Sequence, residues 1–297
     1  MIVVDSPDKL DISGAVVSIG NFDGVHWGHR QLLQRMNELA RPEGRPTLIV
    51  TFFPPSKVVF GDQPFLSSER EKLELLSGFG PVAVAMIPFS RDYALTDKSI
   101  FLDQLVRLHP SAFIVGEDFR FGHKRQGTLN DLSLVTSKLE VFGLETLDGE
   151  VVKSSTIRET LAAGDVAHAA RLLGEPYLAI GRVRSGDKRG RQIDYPTANL
   201  DMPERKALPV GVFSVRVETE GASYGGMANS GPRPSFPDAA PACEVHLFDF
   251  DGDLYGSELR VRFIDRIRGQ QKFSSLDKLR ARLDEDARIA KEQLARL

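Results

Sequence analysis

The chain has 297 residues, 41% hydrophobic and 27% charged, a globular balance that supports a sizeable core and, by length, about two domains. Its formal net charge of −3 leaves no basic excess to neutralise a phosphate backbone, which excludes a general nucleic-acid binder. A single cysteine, Cys243, excludes an intramolecular disulfide and any multi-cysteine metal site, and fits a reducing compartment.

The chain opens on MIVVDSPDKLD, which lacks the basic start and apolar stretch of a signal peptide, and no run nears the roughly 20 apolar residues of a membrane helix. The sequence therefore reads as a soluble cytoplasmic protein without a membrane partner. Residues 15–19 (AVVSI) predict a strand, and 29–40 a helix with Leu32, Leu33, Met36 and Leu39 at helical spacing. A second strand is expected at 47–52, stopped by Pro54 and Pro55, then a helix at 67–76, a strand at 82–87, a helix at 100–108 and a strand at 112–115. This β-α alternation argues for a parallel sheet covered by helices, with ligands at the carboxyl ends of the strands. One helical stretch is expected over 156–173.

Beyond it the pattern changes. Short, often alternating segments at 179–183, 211–218, 225–228, 244–250 and 259–267, separated by Gly, Pro and Asp turns, predict a small antiparallel β-barrel. Asp251-Gly252 reads as a hairpin turn between the last two. From Ser274 the chain turns helical, with Ser274 and Asp277 spaced like a capping box and an apolar face of Leu276, Leu279, Leu283, Ala287, Ala290 and Leu294. The domains are accordingly expected at 1–177 and 178–297.

Two stretches carry chemistry. At 17–31 the chain reads VSIGNFDGVHWGHRQ: a strand, a glycine-rich turn and the start of a helix. A helix N-terminus offers unpaired N–H groups and partial positive charge to a phosphate. Gly20, Gly24 and Gly28 allow close backbone approach, and Asn21, Phe22 and Asp23 complete the turn. His26 and His29, three apart, share a helix face and can donate to charge developing on a transferring phosphoryl group. HxxH alone is equally compatible with two surface histidines; the whole pattern fits a nucleoside triphosphate held for attack at phosphorus.

GNFDGVHWGH resembles the nucleotidyltransferase superfamily that shares the HxGH signature, and the form GNFDGVH is similar to its FAD synthetase branch. Further resemblance lies in TFFP at 51–54, GEDFRFG at 116–122 and KSSTIR at 153–158. It implies a Rossmann-like α/β nucleotidyltransferase domain, with Ser154, Ser155 and Arg158 near the ATP phosphates and Asp118, Phe119 and Phe121 beside the flavin. Read as residues alone, both phenylalanines fit core residues next to a turn better than a ligand site. The chain departs from the family at Phe53-Pro54-Pro55-Ser56, where a Pro-His-Pro is common, and at Lys153, where serine is.

The second stretch, 181–200, reads GRVRSGDKRGRQIDYPTANL, a basic glycine-containing loop followed by Tyr-Pro-Thr-Ala-Asn. Gly186, Lys188 and Gly190 could fold over ATP phosphates, and Thr197 and Asn199 offer oxygen donors of the kind Mg²⁺ takes. The PTAN segment, followed in order by GVFSV, MANSGPRPSF, CEVHLFDFDGDLYG and KFSSLDKL, resembles riboflavin kinase. That resemblance implies Glu244 as general base on the ribityl 5′-hydroxyl, and Asn229 and Arg233 beside the flavin. In a strand Glu244, His246, Phe248 and Phe250 would share a face. Asp194 stands where the family has glycine, and Ser230, Pro232 and Ser235 replace its more usual residues. Together the two motif sets identify a member of the prokaryotic bifunctional riboflavin kinase/FAD synthetase family, with ATP, riboflavin, FMN and FAD as substrates and products. The alternatives are a kinase with a weak or silent adenylyltransferase module, or a non-catalytic flavin-nucleotide binding protein.

Overall fold

The computed structural model describes residues 1–136, 138–143, 146–184, 195–231 and 242–296. The chain divides into two compact units, Met1–Ser154 and Ser155–Leu297.

The first unit is built from β1 (Ile2–Val4), β2 (Val16–Ile19), α1 (Trp27–Ala40), β3 (Thr47–Phe53), α2 (Ser56–Phe60), α3 (Glu69–Ser77), β4 (Ala83–Pro88), α4 (Lys98–Val106), β5 (Ala112–Gly116), α5 (Leu129–Ser133), β6 (Leu139–Phe142) and the short β7 (Thr146–Leu147) and β8 (Glu150–Val151). Six strands form a sheet in the order β1-β4-β3-β2-β5-β6, all parallel. Parallel strands covered on both faces read as unbroken apolar runs, and all four residues of β2 are buried. Alternate residues serve opposite faces. Val17, Ile19, Leu48, Val50, Phe113 and Val115 pack with Phe101 and Leu105 of α4. Val16, Ile49, Val84 and Ile114 pack with Leu33 and Met36 of α1 and Leu76 of α3.

Strand order decides where a ligand can sit. From β2 the chain moves one way to β3 and β4, then crosses to the other side for β5 and β6. The topological switch point lies between β2 and β5, and the crevice at their carboxyl ends is the place where such sheets bind ligands. GNFDGVHWGH follows β2, and GEDFRFG begins at the end of β5.

The second unit carries α6 (Ser154–Ala162), whose first residue belongs to the first unit, then α7 (Val166–Leu173), β9 (Tyr177–Arg184), β10 (Ala198–Asp201), β11 (Gly211–Thr219), β12 (Ala222–Gly231), β13 (Ala242–Leu247), β14 (Glu258–Arg268) and α8 (Leu276–Leu294). Six strands close into a barrel in the order β10-β13-β12-β11-β14-β9, every neighbouring pair antiparallel. Cys243, Val245 and Leu247 are buried while Glu244 and His246 are half-buried, the alternation of a strand with one face inward.

Four local expectations are corrected. The stretch 156–173 is two helices, because Gly164 takes φ 76° and Asp165 caps the second, accepting from His168 N–H at 3.0 Å. A Cβ on Gly164 would come within 2.5 Å of the Val210 carbonyl oxygen. Asp251-Gly252 is not a hairpin turn: β13 pairs with β10 and β12, β14 with β11 and β9, so the two flanking strands are not partners. β13 ends at Leu247, yet Phe248 keeps to the face of His246: its ring meets the imidazole edge-on at 5.8 Å and packs with Met227, the register partner of His246, and with Ala290 of α8. The cap of α8 is Ser275, one residue later than expected, accepting from Lys278 N–H at 3.3 Å. Leu283, Ala287, Ala290 and Leu294 pack on the barrel, whereas Leu276 is exposed.

Candidate active sites

The turn after β2 is held in a conformation that side chains seldom adopt. Phe22 and Val25 take left-handed φ values of 43° and 42°, and Gly24 takes 78°. Non-glycine residues in that region cost about 1–3 kcal/mol each and persist only where the surroundings over-determine them. Here they do. Buried Asp23 accepts through Oδ1 from Leu66 N–H (2.9 Å) and Ser67 N–H (3.2 Å), and Gly24 N–H donates to Ser67 Oγ at 3.0 Å. The Asn21 carbonyl accepts from Thr51 Oγ1 (3.2 Å) and from Lys72 Nζ (2.7 Å). Ser154 Oγ donates to the Asp23 carbonyl at 3.4 Å. Phe22 itself is 1% exposed and packs in the core, so its side chain serves the turn from within.

The turn delivers His26 to the N-cap of α1 and His29 to its first turn. His26 makes no side-chain capping bond there. The two imidazoles stack at 3.6 Å with an interplanar angle of 20°, and Phe22 meets His29 edge-on at 5.1 Å. Both Nδ1 atoms are buried without a hydrogen-bond partner. Burial pushes His26 down to about 4, and burial, then the charges of His26 and Lys72, push His29 well below its ordinary value. At neutral pH both rings are uncharged. Gly20, Asn21, Phe22, Asp23, Gly24, His26 and His29 are thus gathered in one turn, with Ser154 tied to it. Ser155 and Arg158 follow in α6, in the second unit.

After β5 the loop residue Asp118 is exposed, and its carbonyl accepts from Arg125 Nη2 at 3.1 Å. Phe121 is 6% exposed and packs 5.4 Å from Phe101 in the core; Phe119 stacks on it at 5.7 Å and is half-buried.

The second site is a row across strands. Asn199 on β10 pairs in register with Glu244 on β13, which pairs in turn with Asn229 on β12. Residues in register point to the same face with Cβ atoms about 4.5–5.5 Å apart. The residues flanking Asn199 and Glu244 in their own strands (Ala198, Leu200, Cys243, Val245) are buried, so the row lies on the barrel's outer face. Burial, then Glu244, push the Cys243 thiol up to about 12, which leaves it inert. Gln270 Nε2 donates to Asn229 Oδ1 at 3.2 Å.

The segment entering β10 is clamped from two elements. His246 Nδ1–H donates to the Pro196 carbonyl at 2.8 Å, and the Tyr195 ring lies 5.1 Å from His246. Tyr195 O–H donates to Asp284 Oδ1 on α8 at 2.6 Å, while burial and that carboxylate push the phenol up to about 12, so it stays a donor. Thr197, exposed, follows directly. Gly186, Lys188, Gly190 and Arg233, with Asp194, Pro232 and Ser235, lie outside the described residues.

Sequence reasoning missed Lys72, Ser67, His246's clamp and Asp284. Lys72 had a signal, since it stands four residues before buried Leu76, on the apolar face of its helix. The others are visible only once strands and loops are placed.

Two family models match the chain: FAD synthetase over residues 8–160 and riboflavin kinase over 173–294. Among curated relatives, a bifunctional riboflavin kinase/FMN adenylyltransferase from Escherichia coli K12 is 38% identical over 94% of this chain and 92% of its own. One of the same description from Haemophilus influenzae is 34% identical over 94% of each. A solved structure described as a macrolide-efflux protein from Streptococcus pneumoniae superposes with a TM-score of 0.85 at 29% identity, covering 98% of both chains. Among the described residues no helix is long and apolar enough to cross a membrane.

Proposed function

This chain belongs to the family of bifunctional riboflavin kinase/FMN adenylyltransferases, and from that premise we propose which residues carry each step. Its two modules phosphorylate riboflavin to FMN and adenylylate FMN to FAD, both with ATP. We assign the adenylyl transfer to residues 1–177 and the phosphorylation to 178–297, in the cytoplasm, where a single buried thiol is at home.

In the kinase step Glu244 takes the proton of the ribityl 5′-hydroxyl as that oxygen attacks the γ-phosphorus of ATP and ADP leaves. A carboxylate held between two neutral amides, Asn199 and Asn229, suits a base. Asn229 and Arg233 are assigned to the flavin, and Gly186, Lys188 and Gly190 to ATP phosphates. Thr197 and Asn199 fit Mg²⁺: they are uncharged oxygen donors at the start of one strand, and a hard cation that keeps several waters and phosphate oxygens needs few from protein. Bound there, Mg²⁺ would neutralise phosphate charge.

In the adenylyl transfer a phosphate oxygen of FMN attacks the α-phosphorus of ATP and pyrophosphate leaves. Charge gathers on the equatorial oxygens, and preorganised donors stabilise it most where water is excluded. His26 and His29, neutral and stacked, donate from the ring edge opposite their buried Nδ1 atoms. Gly20, Asn21, Phe22, Asp23 and Gly24 hold the ATP phosphates through the turn's main chain. KSSTIR supports Ser154 and Ser155 as further phosphate ligands, and Arg158 as a bidentate one. Asp118, Phe119 and Phe121 are assigned to the flavin side, Phe121 from within the core.

What supports this reading most is the topology: GNFDGVHWGH and GEDFRFG leave adjacent strands at the switch point of the sheet. A chromatographic product assay with ATP and Mg²⁺ tests it. FAD from riboflavin and from FMN is the expected result. FMN accumulating from riboflavin, with no FAD in either tube, would leave a kinase beside a silent adenylyltransferase fold. No product in either tube would overturn the enzymatic reading.

A further inference from the structure

Lys72 is 0% exposed, an unusual place for an ammonium group, whose burial is costly unless its protons find partners. From α3 its Nζ donates at 2.7 Å to the Asn21 carbonyl, in the turn after β2, and at 2.7 Å to the Phe52 carbonyl, near the end of β3. A methionine or leucine would fill the same space without the desolvation cost. The ammonium therefore calls for an account that packing alone does not supply.

The surroundings supply one. Leu66 and Ser67 grip Asp23 and Gly24. Ser68 and Glu71 form a capping box that fixes the start of α3, with Ser68 N–H donating to Glu71 Oε2 at 2.7 Å. Lys72 adds the third hold, on Asn21. Residues 66–72 thus hold the turn at three points, and the turn contains three left-handed residues directly before His26. The same ammonium carries charge toward His29 and contributes to holding that imidazole neutral. Asp23 and Glu69 oppose the burial that pushes Lys72 down to about 8, so the group is still largely protonated at neutral pH.

We propose that Lys72 is a positioning residue for adenylyl transfer: it never touches the nucleotide, but fixes the Asn21 carbonyl and the end of β3 so that the phosphate turn and His26–His29 stand ready before ATP binds. This rests on the assignment of the turn to adenylyl transfer. A charge-assisted bond to a main-chain carbonyl locks backbone rather than side chain, which is what a phosphate site made of N–H groups needs.

The test uses the intact chain and steady-state FAD formation from FMN, with FMN formation from riboflavin as internal reference. Lys72→Met keeps the volume and removes the donors. It is expected to lower kcat for FAD formation by about tenfold to a hundredfold, the scale of a small misplacement of reacting groups, with KM for FMN changed by less than about twofold. Leu76→Ala, which opens a cavity one turn along the same helix, is the matched destabilised control; it is expected to keep kcat while folded. Wild-type kcat in Lys72→Met would overturn the proposal, and so would an equal loss of kcat in Leu76→Ala. Hydrogen exchange covers the remaining case: loosening confined to the turn and the end of β3 is expected in Lys72→Met, whereas protection lost throughout β2 and β3 together with lost activity would make the residue structural only. A wild-type chain that makes FMN but no FAD would instead remove the reading on which the proposal rests.

Discussion

In the first unit the candidate site is a contiguous stretch, residues 20–29, wrapped around buried ionisable groups; in the barrel, Asn199, Glu244 and Asn229 meet in one row through strand pairing alone. The first buries Lys72 and the Nδ1 edges of half-buried His26 and His29, and holds three residues at left-handed dihedrals. The second sits on the outside of a closed sheet whose core is made by other residues. Strain in the first site is offset by the fold around it, so changes to the strained turn and to the cap beside it should disturb folding and chemistry together. In the barrel the two should separate.

The largest effect that could break this comparison concerns the barrel's own buried ion pair. Asp286 on α8 is 0% exposed and accepts from Arg268 Nε at 2.9 and 3.0 Å, with Arg282 Nε 3.1 Å away. Removing one partner of such a pair leaves an uncompensated charge and costs about 3–5 kcal/mol. Asp286→Ala is expected to lose that much in chemical denaturation followed by a barrel probe, while kcat for riboflavin phosphorylation by the folded fraction stays within about twofold of wild type. A kinase that loses its turnover along with its stability would show the outer row to be no more separable than the first site.

Next in size is a pH effect. The His26 imidazole binds its proton at about 4 in the folded chain and at 6.5 when unfolded. Between those values the unfolded chain holds a proton that the folded one lacks, so stability falls as pH drops from 6.5 to 4, by up to about 3 kcal/mol from this residue. His29 acts in the same direction. His246 in the barrel is also pushed down, by burial, but it keeps a hydrogen bond to the Pro196 carbonyl that opposes the shift. Urea unfolding across this window, with probes in each unit, should show the steeper loss in the first; equal slopes would contradict the account of its histidines.

The smallest effect sharpens the link between cradle and chemistry. Ser68→Ala removes one half of the capping box next to the turn and is expected to cost about 1 kcal/mol of the first unit's stability. FAD formation should fall with it, and riboflavin phosphorylation should not change. Calorimetry beside the two product assays reads both.

The same contrast explains what was legible in the sequence. GNFDGVHWGH could be read as a phosphate turn because its chemistry is local: strand, glycine, helix start and two histidines follow one another. The parallel sheet was legible for a related reason, since strands buried on both faces spell unbroken apolar runs such as 47–52. β10 and β6 were not: the first is four residues behind Pro196, the second an edge strand with partial burial. The row of Asn199, Glu244 and Asn229 depends on register, which no stretch of sequence states by itself. Asp251-Gly252 misled because a good turn dipeptide says nothing about which strands its neighbours choose as partners. Lys72 was hidden by habit, a lysine in a helix being assigned to solvent until the helix is seen from inside.

The most direct test of two separately built sites in one chain is a reciprocal pair of variants, Glu244→Gln and His29→Asn, each assayed for both reactions. The account predicts that Glu244→Gln lowers FMN formation from riboflavin by about 10²–10⁴-fold, the usual reach of a general base, and leaves FAD formation from supplied FMN unchanged. His29→Asn should do the reverse, with FMN accumulating and FAD lost. If either variant silences both reactions while the chain stays folded, the two sites are not independent and the account fails.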